Sequence, residues 1–225
     1  MTMLKRVRRA SVVLATALAL GGGSWMMTTL PAAAQSLFEE RGTLAPMQAE
    51  YSFAGKAGDT VTVSMTSTEF DTFLVLNSPS GEELASNDDY ARSLNSTIVI
   101  TLPASGTYKV LARSFSGQGG NYLVTVRAAT PYDLAYSRAT ELYRNGDLDA
   151  ALPAFTEAIR IDSERPEAYL DRGDLYFSQG NVSATRSDYQ AAIALYEKQG
   201  DRETAQMLRE QLSYLETPPD GSESF

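Results

Sequence analysis

Asp71, Asn87, Asp88 and Asp89 are the residues whose types and spacing could hold an ion. Pro79 and Ser80 sit at the centre of a predicted hairpin, and reflection about that point pairs Asp71 with Asp88. Both then fall at the open end of one hairpin, with Asn87 and Asp89 beside them. Several oxygen donors on one loop end suit a hard cation such as Ca2+, which takes about 6–8 oxygens. Asn and Asp also cap turns by accepting backbone N–H groups, and both readings stay open at this point. The D-x-D-x-D-G spacing of an EF-hand loop is missing. A second set has the chemistry of contact rather than catalysis. Tyr136 and Tyr143 are seven apart and share a face if they lie on a helix, and Leu170 and Phe177 stand in the same relation 34 residues further on.

The rest of the chemical inventory is narrow. The 225 residues contain no Cys and no His, which removes disulfides, Cys- and His-based nucleophilic triads, and zinc sites built from those ligands. There is no G-x-S-x-G, S-x-x-K, P-loop or H-E-x-x-H pattern. Gly117-Gln118-Gly119-Gly120 joins two predicted strands and opens no helix, so it is not a dinucleotide fingerprint. Paired carboxylates can cleave glycosides, but 28 acidic residues make chance pairs inevitable. The reading is therefore non-enzymatic, with no cofactor beyond the candidate Ca2+. A net charge of −9 argues against nucleic acid as a partner, because phosphate neutralisation needs basic patches.

Two kinds of element must position these residues. From Met47 to Val126 the pattern has period two. Met47, Ala49, Tyr51 and Phe53 alternate with polar residues, as do Val61, Val63 and Met65, then Ile98, Ile100 and Leu102, then Tyr108, Val110 and Ala112, then Tyr122, Val124 and Val126. Each run predicts a strand with one buried face. Phe73-Leu74-Val75-Leu76 is continuously apolar, as for a strand buried on both faces. Gly- and Pro-rich turns separate the runs, and seven or eight short strands at this spacing predict a sandwich or jelly roll over residues 39–128. After Thr130-Pro131 the period becomes 3.6, and the chain matches itself at an offset of 34. Arg138 falls on Arg172, Gly146 on Gly180, Phe155 on Tyr189, Ala158 on Ala192 and Ile159 on Ile193. That predicts helix–turn–helix repeats over residues 132–216, with Arg202–Leu215 as a fifth, capping helix. Gly146 and Gly180 should close first helices, and Asp147 and Asn181 should cap the second ones. Pro153 should bend the second helix or shift its start.

Both regions resemble known families. Phe53-Ala-Gly-Lys-Ala-Gly-Asp-Thr-Val61, Phe70-Asp71-Thr-Phe-Leu-Val-Leu76, Ser78-Pro-Ser-Gly81, Asn87-Asp88-Asp89, Leu102-Pro-Ala-Ser-Gly-Thr-Tyr108 and Gly120-Asn-Tyr122 resemble the bacterial pre-peptidase C-terminal domain. The resemblance implies a jelly-roll-like sandwich of the kind appended to secreted peptidases. Some members bind calcium, and some bind collagen or polysaccharide. The 34-residue period resembles the tetratricopeptide repeat. Tyr169, Gly173, Tyr176, Gly180, Tyr189 and Ala192 stand on that family's packing positions in one repeat, and Ala139, Leu142, Gly146, Ala151, Phe155 and Ala158 in the other. Thr185 departs from the usual small Ala. In that family the first helices line a concave groove. Tyr136, Tyr143, Leu170 and Phe177 would form an apolar row there, suited to a helix or extended peptide, unless the sandwich or a second copy covers it. The basic clamp that some relatives use for C-terminal carboxylates is absent, its places holding Tyr136, Thr140 and Asp171. Two repeats are few for a continuous core, so docking, a partner or an oligomer must complete it.

Residues 1–34 read as an address. Lys5, Arg6, Arg8 and Arg9 precede the apolar run Ala10–Leu20, and Ala32-Ala33-Ala34 gives an A-x-A site. That order predicts a secretory signal peptide cleaved before Gln35. Eleven apolar residues are short for a membrane span of about 20, so no stable span is expected after cleavage. Removing these four cations and no acid takes the net charge from −9 to −13. Thr217–Gly221 ends the helical pattern, and residues 217–225 read as a disordered tail. The whole predicts an all-β jelly-roll-like sandwich followed by an all-α tetratricopeptide helical repeat. Its expected work is that of an exported, periplasmic or extracellular adaptor with a protein or peptide ligand. The alternative is a calcium-assisted carbohydrate- or matrix-binding module whose helices serve oligomerisation.

Overall fold

The computed structural model describes residues 36–44 and 48–216. The predicted leader, Met47 and the tail lie outside them. The chain divides into two compact units between Thr130 and Pro131.

The first unit holds eight strands: β1 (Ser36–Leu44), β2 (Ala49–Gly55), β3 (Thr60–Thr66), β4 (Thr72–Asn77), β5 (Glu83–Asn87), β6 (Ser96–Thr101), β7 (Gly106–Ser114) and β8 (Gly120–Ala128). They form two four-stranded antiparallel sheets, ordered β1-β8-β3-β6 and β2-β7-β4-β5. Only β4 and β5 are a sequential hairpin. Every other connection crosses to the opposite sheet, which gives the jelly-roll-like weave. The inward set of the period-two runs forms the core: Val61, Val63, Met65, Leu74, Leu76, Ile98, Leu102, Tyr108, Val110, Ala112, Val124 and Val126 are all buried. Burying each large apolar side chain is worth about 1.5–3 kcal/mol. Two polar features stitch the weave together. Thr72 of β4 and Ser96 of β6, from opposite sheets and both buried, share a 2.7 Å hydroxyl bond. The Tyr108 hydroxyl donates to the Ala104 carbonyl at 2.6 Å, closing the Pro103–Gly106 corner that the Leu102–Tyr108 motif encodes.

Two strands escaped the periodicity. β1 reads Ser-Leu-Phe-Glu-Glu-Arg-Gly-Thr-Leu and β5 reads Glu-Leu-Ala-Ser-Asn. Both are edge strands, where burial on one side is incomplete and alternation is not enforced. The hairpin register also differs from reflection about Pro79–Ser80. Leu74 faces Asn87 and Leu76 faces Ala85, with an irregularity between Leu76 and Asn77. An extra residue on the β5 side of the turn moves the axis, so Asp71 is not the direct partner of Asp88.

The second unit holds α1 (Pro131–Arg144), α2 (Leu148–Ile161), α3 (Pro166–Ser178), α4 (Val182–Gln199) and α5 (Arg202–Glu216). One stop–start device recurs between helices. Gly146 and Gly180 take φ of +78° and +74°, where only glycine is unstrained. The next amide reaches back to a helical carbonyl (Asp147 to Leu142, Asn181 to Tyr176, each 2.9 Å). Asp147 and Asn181 then cap the following helix through Ala150 N and Ala184 N. Gly200-Asp201 repeats the pattern before α5, with Asp201 accepting from Thr204 N at 3.0 Å. Pro153 does not shift the start of α2: it sits inside the helix, and Asp147 still caps Leu148. Its missing N–H leaves one intrahelical bond unmade, which the buried Ala151, Phe155 and Ala158 face offsets. Thr185 is fully buried in the small-residue position, and its hydroxyl bonds the Asn181 carbonyl at 3.0 Å.

Candidate partner-binding groove and the acidic loop end

Two hydrogen bonds place α1 beside α3. The Tyr136 hydroxyl donates to Asp171 Oδ2 at 2.6 Å, and the Tyr132 hydroxyl donates to Glu167 Oε1 at 3.2 Å. Arg165 Nε shares that Glu167 oxygen at 2.9 Å, with its guanidinium 4.7 Å over the Tyr132 ring. Burial, with the Glu167 carboxylate beside it, pushes the Tyr132 phenol well above its ordinary value. Tyr136 stacks on Tyr132 at 5.6 Å and meets Phe155 edge-on. On the other side of α3, Leu170 packs with Tyr189, Ala192, Ile193, Ala205, Leu208 and Leu212.

This divides the predicted apolar row in two. Tyr136 and Leu170 are each 1% exposed and belong to the core, not to a groove surface. Tyr143 and Phe177 are 40% and 52% exposed and remain on the surface. The physical reason is repeat geometry. The Tyr136 and Leu170 position faces the first helix of the next repeat, Tyr136 meeting α3 and Leu170 meeting α5. The clue lay in the separation of the bonded pairs, 132 with 167 and 136 with 171, each one residue beyond the 34-residue period.

Sequence reasoning also missed an ion pair inside the second unit. Arg172 holds Asp188 through two bonds, Nε–Oδ2 at 2.8 Å and Nη2–Oδ1 at 2.7 Å, and donates to Thr156 Oγ1 at 3.1 Å. Tyr169 and Tyr176 flank the guanidinium at 5.9 Å each. It therefore ties α2, α3 and α4 together. Gly173 permits the close approach that goes with it, since a Cβ there would lie 2.8 Å from the Tyr189 ring.

At the open end of the sandwich, Asn87 has both amide functions engaged. Its Oδ1 accepts from Thr97 N at 2.8 Å and its Nδ2 donates to the Asp89 carbonyl at 3.0 Å. Asp88 Oδ1 accepts from Asp89 N at 2.9 Å. These are turn-capping bonds. Asp71 differs: its Oδ1 is buried without a hydrogen-bond partner. Burial first, then the charges of Asp89 and Asp88, raise its carboxyl above the ordinary range. The donors are all oxygens, which suits a hard cation, but among the described residues no three acidic side chains converge as a metal's ligands. The same loop carries Ala91 and Arg92 with φ of +53° and +60°, a left-handed pair that costs about 1–2 kcal/mol per residue. At the same end, Thr66, Ser67, Asn95, Asn121 and Tyr122 line an open polar cleft of about 550 Å³. Glu69 accepts from Asn121 N at 3.0 Å and from Asn121 Nδ2 at 2.8 Å, bonds that hold its carboxyl below the usual range.

An antiparallel jelly-roll-like sandwich followed by helix–turn–helix repeats defines a two-module chain of binding type. Residues 50–114 match the model of the bacterial pre-peptidase C-terminal domain, and residues 136–201 match that of the tetratricopeptide repeat. The chain is thus a pre-peptidase C-terminal domain followed by a tetratricopeptide region. Among curated proteins, a probable subtilase-type serine protease of Deinococcus radiodurans is 44% identical over 63 residues, covering 26% of this chain and 8% of that protein. Tetratricopeptide repeat protein 16 of Macaca fascicularis is 29% identical over 79 residues, covering 35% of this chain and 9% of that protein. The chain spans less than a tenth of the length of these relatives. Among solved structures, the pre-peptidase C-terminal domain of a Bacillus anthracis collagenase is 15% identical, with a TM-score of 0.35, covering 40% of this chain and 87% of that one. A periplasmic inhibitor of g-type lysozyme from Aeromonas hydrophila is 19% identical, with a TM-score of 0.36, covering 45% and 93%. Both matched families are non-catalytic modules.

Proposed function

We propose that the chain is an exported, non-enzymatic adaptor that holds a protein partner on the exposed face of its first helices, with the sandwich as an accessory binding module. The observation that carries this is the contrast within one row. Tyr136 and Leu170 are buried, whereas Tyr143 and Phe177, at equivalent places on α1 and α3, keep 40% and 52% of their surface. Exposed aromatic residues repeated at the period of the array are typical binding anchors, and truncating one costs about 2 kcal/mol or more of binding. A Tyr143→Ser/Phe177→Ser double variant should lose capture of its partner from periplasmic extract while keeping its far-UV circular dichroism. Undiminished capture would move recognition to the sandwich.

A second reading rests on Asp71. A buried carboxylate oxygen without a hydrogen-bond partner, beside Asp88 and Asp89, is a place where Ca2+ would relieve both deficits. With the polar cleft at the same end, this supports calcium-assisted binding of a carbohydrate or matrix ligand. Calcium capture of the folded state should raise the melting temperature, by about 2.7 kcal/mol of stability at a hundredfold excess over Kd. No shift at millimolar calcium, measured against EDTA, removes this reading.

A further inference from the structure

The groove side of α1, α3 and α5 bears both an aromatic band and an acidic band. α5 stands in the place of a third first helix. Its start, Arg202, lies 36 residues after Pro166. At that offset the packing positions Tyr169 and Tyr176 become Ala205 and Leu212, both buried. Leu170 packs directly on this face of α5, as Tyr136 packs on α3. Where Gly173 admits the Tyr189 ring, α5 carries Arg209, which pairs with Glu197 instead. The three helices therefore run in register, and their equivalent residues form rows across them.

The rows separate by chemistry. Near the C-terminal ends lie Tyr143, Phe177 and Tyr214, all exposed. Towards the N-terminal ends, Asp174 continues into Glu210, and Glu167 into Glu203. Glu203 and Glu210 are exposed, and among the described residues no Lys or Arg pairs with either. Over residues 131–216 there are nine Lys and Arg against sixteen Asp and Glu. Five of those nine cations, Arg160, Arg165, Arg172, Lys198 and Arg209, already pair with acids. The field over this face is negative, and its apolar anchors lie along one side of it.

We infer that the occupant of this face is a cationic amphipathic segment, with apolar side chains on the aromatic band and Lys or Arg against Glu203 and Glu210. The inference rests on the adaptor reading and adds the partner's chemistry to it. Neighbouring packed helices lie about 8–10 Å apart, so apolar residues at i and i+7 of a helix, about 10.5 Å apart, reach successive anchors. Acidic tails are excluded by like-charge repulsion, and that includes the chain's own 217–225, which carries Asp220 and Glu223 and no cation.

The test uses the exported chain and three synthetic 18-residue peptides, followed by fluorescence anisotropy at low and moderate salt. One has Leu at i, i+3, i+4 and i+7 with Lys elsewhere. One keeps the Leu pattern and replaces Lys by Glu. One keeps Lys and replaces Leu by Ser. The Lys/Leu peptide should bind at least tenfold more tightly than either of the others. Phe177→Ser should weaken it at least tenfold, and Glu203→Gln/Glu210→Gln severalfold, with a flatter salt dependence. Phe177 is exposed, so its serine variant keeps the fold even if the Tyr143 variant, whose ring meets Phe155 edge-on, does not. Equal binding of the Glu/Leu peptide overturns the charge inference and leaves the groove reading intact. Equal binding of the Lys/Ser peptide reduces the effect to bulk charge and overturns it. Binding untouched by Phe177→Ser overturns both the inference and the groove reading. Failure of all three peptides to bind overturns the inference alone, since partner capture still judges the adaptor.

Discussion

Asp71 is held in the folded chain at an electrostatic disadvantage. Its raised carboxyl pKa means that the folded state binds the proton more tightly than the unfolded one. The stabilisation from the protonated form is therefore present at acid pH and lost as pH rises through the raised value. Asp71→Asn keeps the shape and removes the charge, so at neutral pH in EDTA it should melt above the wild type. That gap should close as pH falls through the carboxylate range. With calcium the order reverses if the ion binds there, because only the wild type then gains. Thermal melts of both proteins across pH, with and without calcium, read this directly. At this scale legibility was mixed. Asp71, Asp88 and Asp89 were identified by type alone, and the structure does bring their charges together. Asn87 was identified by the same logic, but its amide serves backbone groups on both sides. Residue type does not reveal which lone pairs a loop has already engaged. Tyr136 and Leu170 show the same limit in the helices. A heptad relation places them on one face of one helix, but which neighbour covers that face is a property of the stack.

Between elements, the Arg172–Asp188 pair is the sharpest point of leverage. The side chains are 16% and 6% exposed, and the guanidinium also holds Thr156 across to α2. Removing Asp188 strands a charge among tyrosines, and breaking a buried pair this way costs about 3–5 kcal/mol. Because some exposure remains, Asp188→Ala should fall near the lower end, about 3 kcal/mol, in urea unfolding of the full chain. The double substitution Arg172→Met/Asp188→Leu should recover most of that loss. Failure to recover would mean that the pair sets the register of α3 against α4 rather than merely satisfying itself. The repeat itself was legible because Gly146, Gly180, Phe155 and Tyr189 recur at one offset and each has a steric job. The sandwich core was legible because Val61–Met65 and Tyr122–Val126 must alternate to bury one face. β1 and β5 were not, since edge strands are held by backbone pairing to β8 and β4, which leaves little mark on side-chain order. The two-residue error in the β4–β5 register came from the irregularity beside Asn77, which no composition rule announces.

For the whole molecule, export is the proposal with the most decisive check. The basic start, the short apolar run and Ala32-Ala33-Ala34 predict a mature chain beginning at Gln35. N-terminal sequencing of the exported protein should read Gln-Ser-Leu-Phe. Recovery of full-length chain in the membrane fraction would mean an anchor instead. The Gly–Asx junctions at 146–147, 180–181 and 200–201 have a consequence for how such a chain changes length. Each junction ends one helix and begins the next with its own residues, drawing on nothing from further along the chain. An in-frame tandem duplication from Pro166 to Asp201 would therefore carry its own stops and starts. It would insert one more Phe177-type anchor while leaving α1 and α5 with their present neighbours' chemistry. The array can lengthen by genetic slippage without redesign, and the number of anchors offered to a partner then becomes a heritable variable independent of the fold.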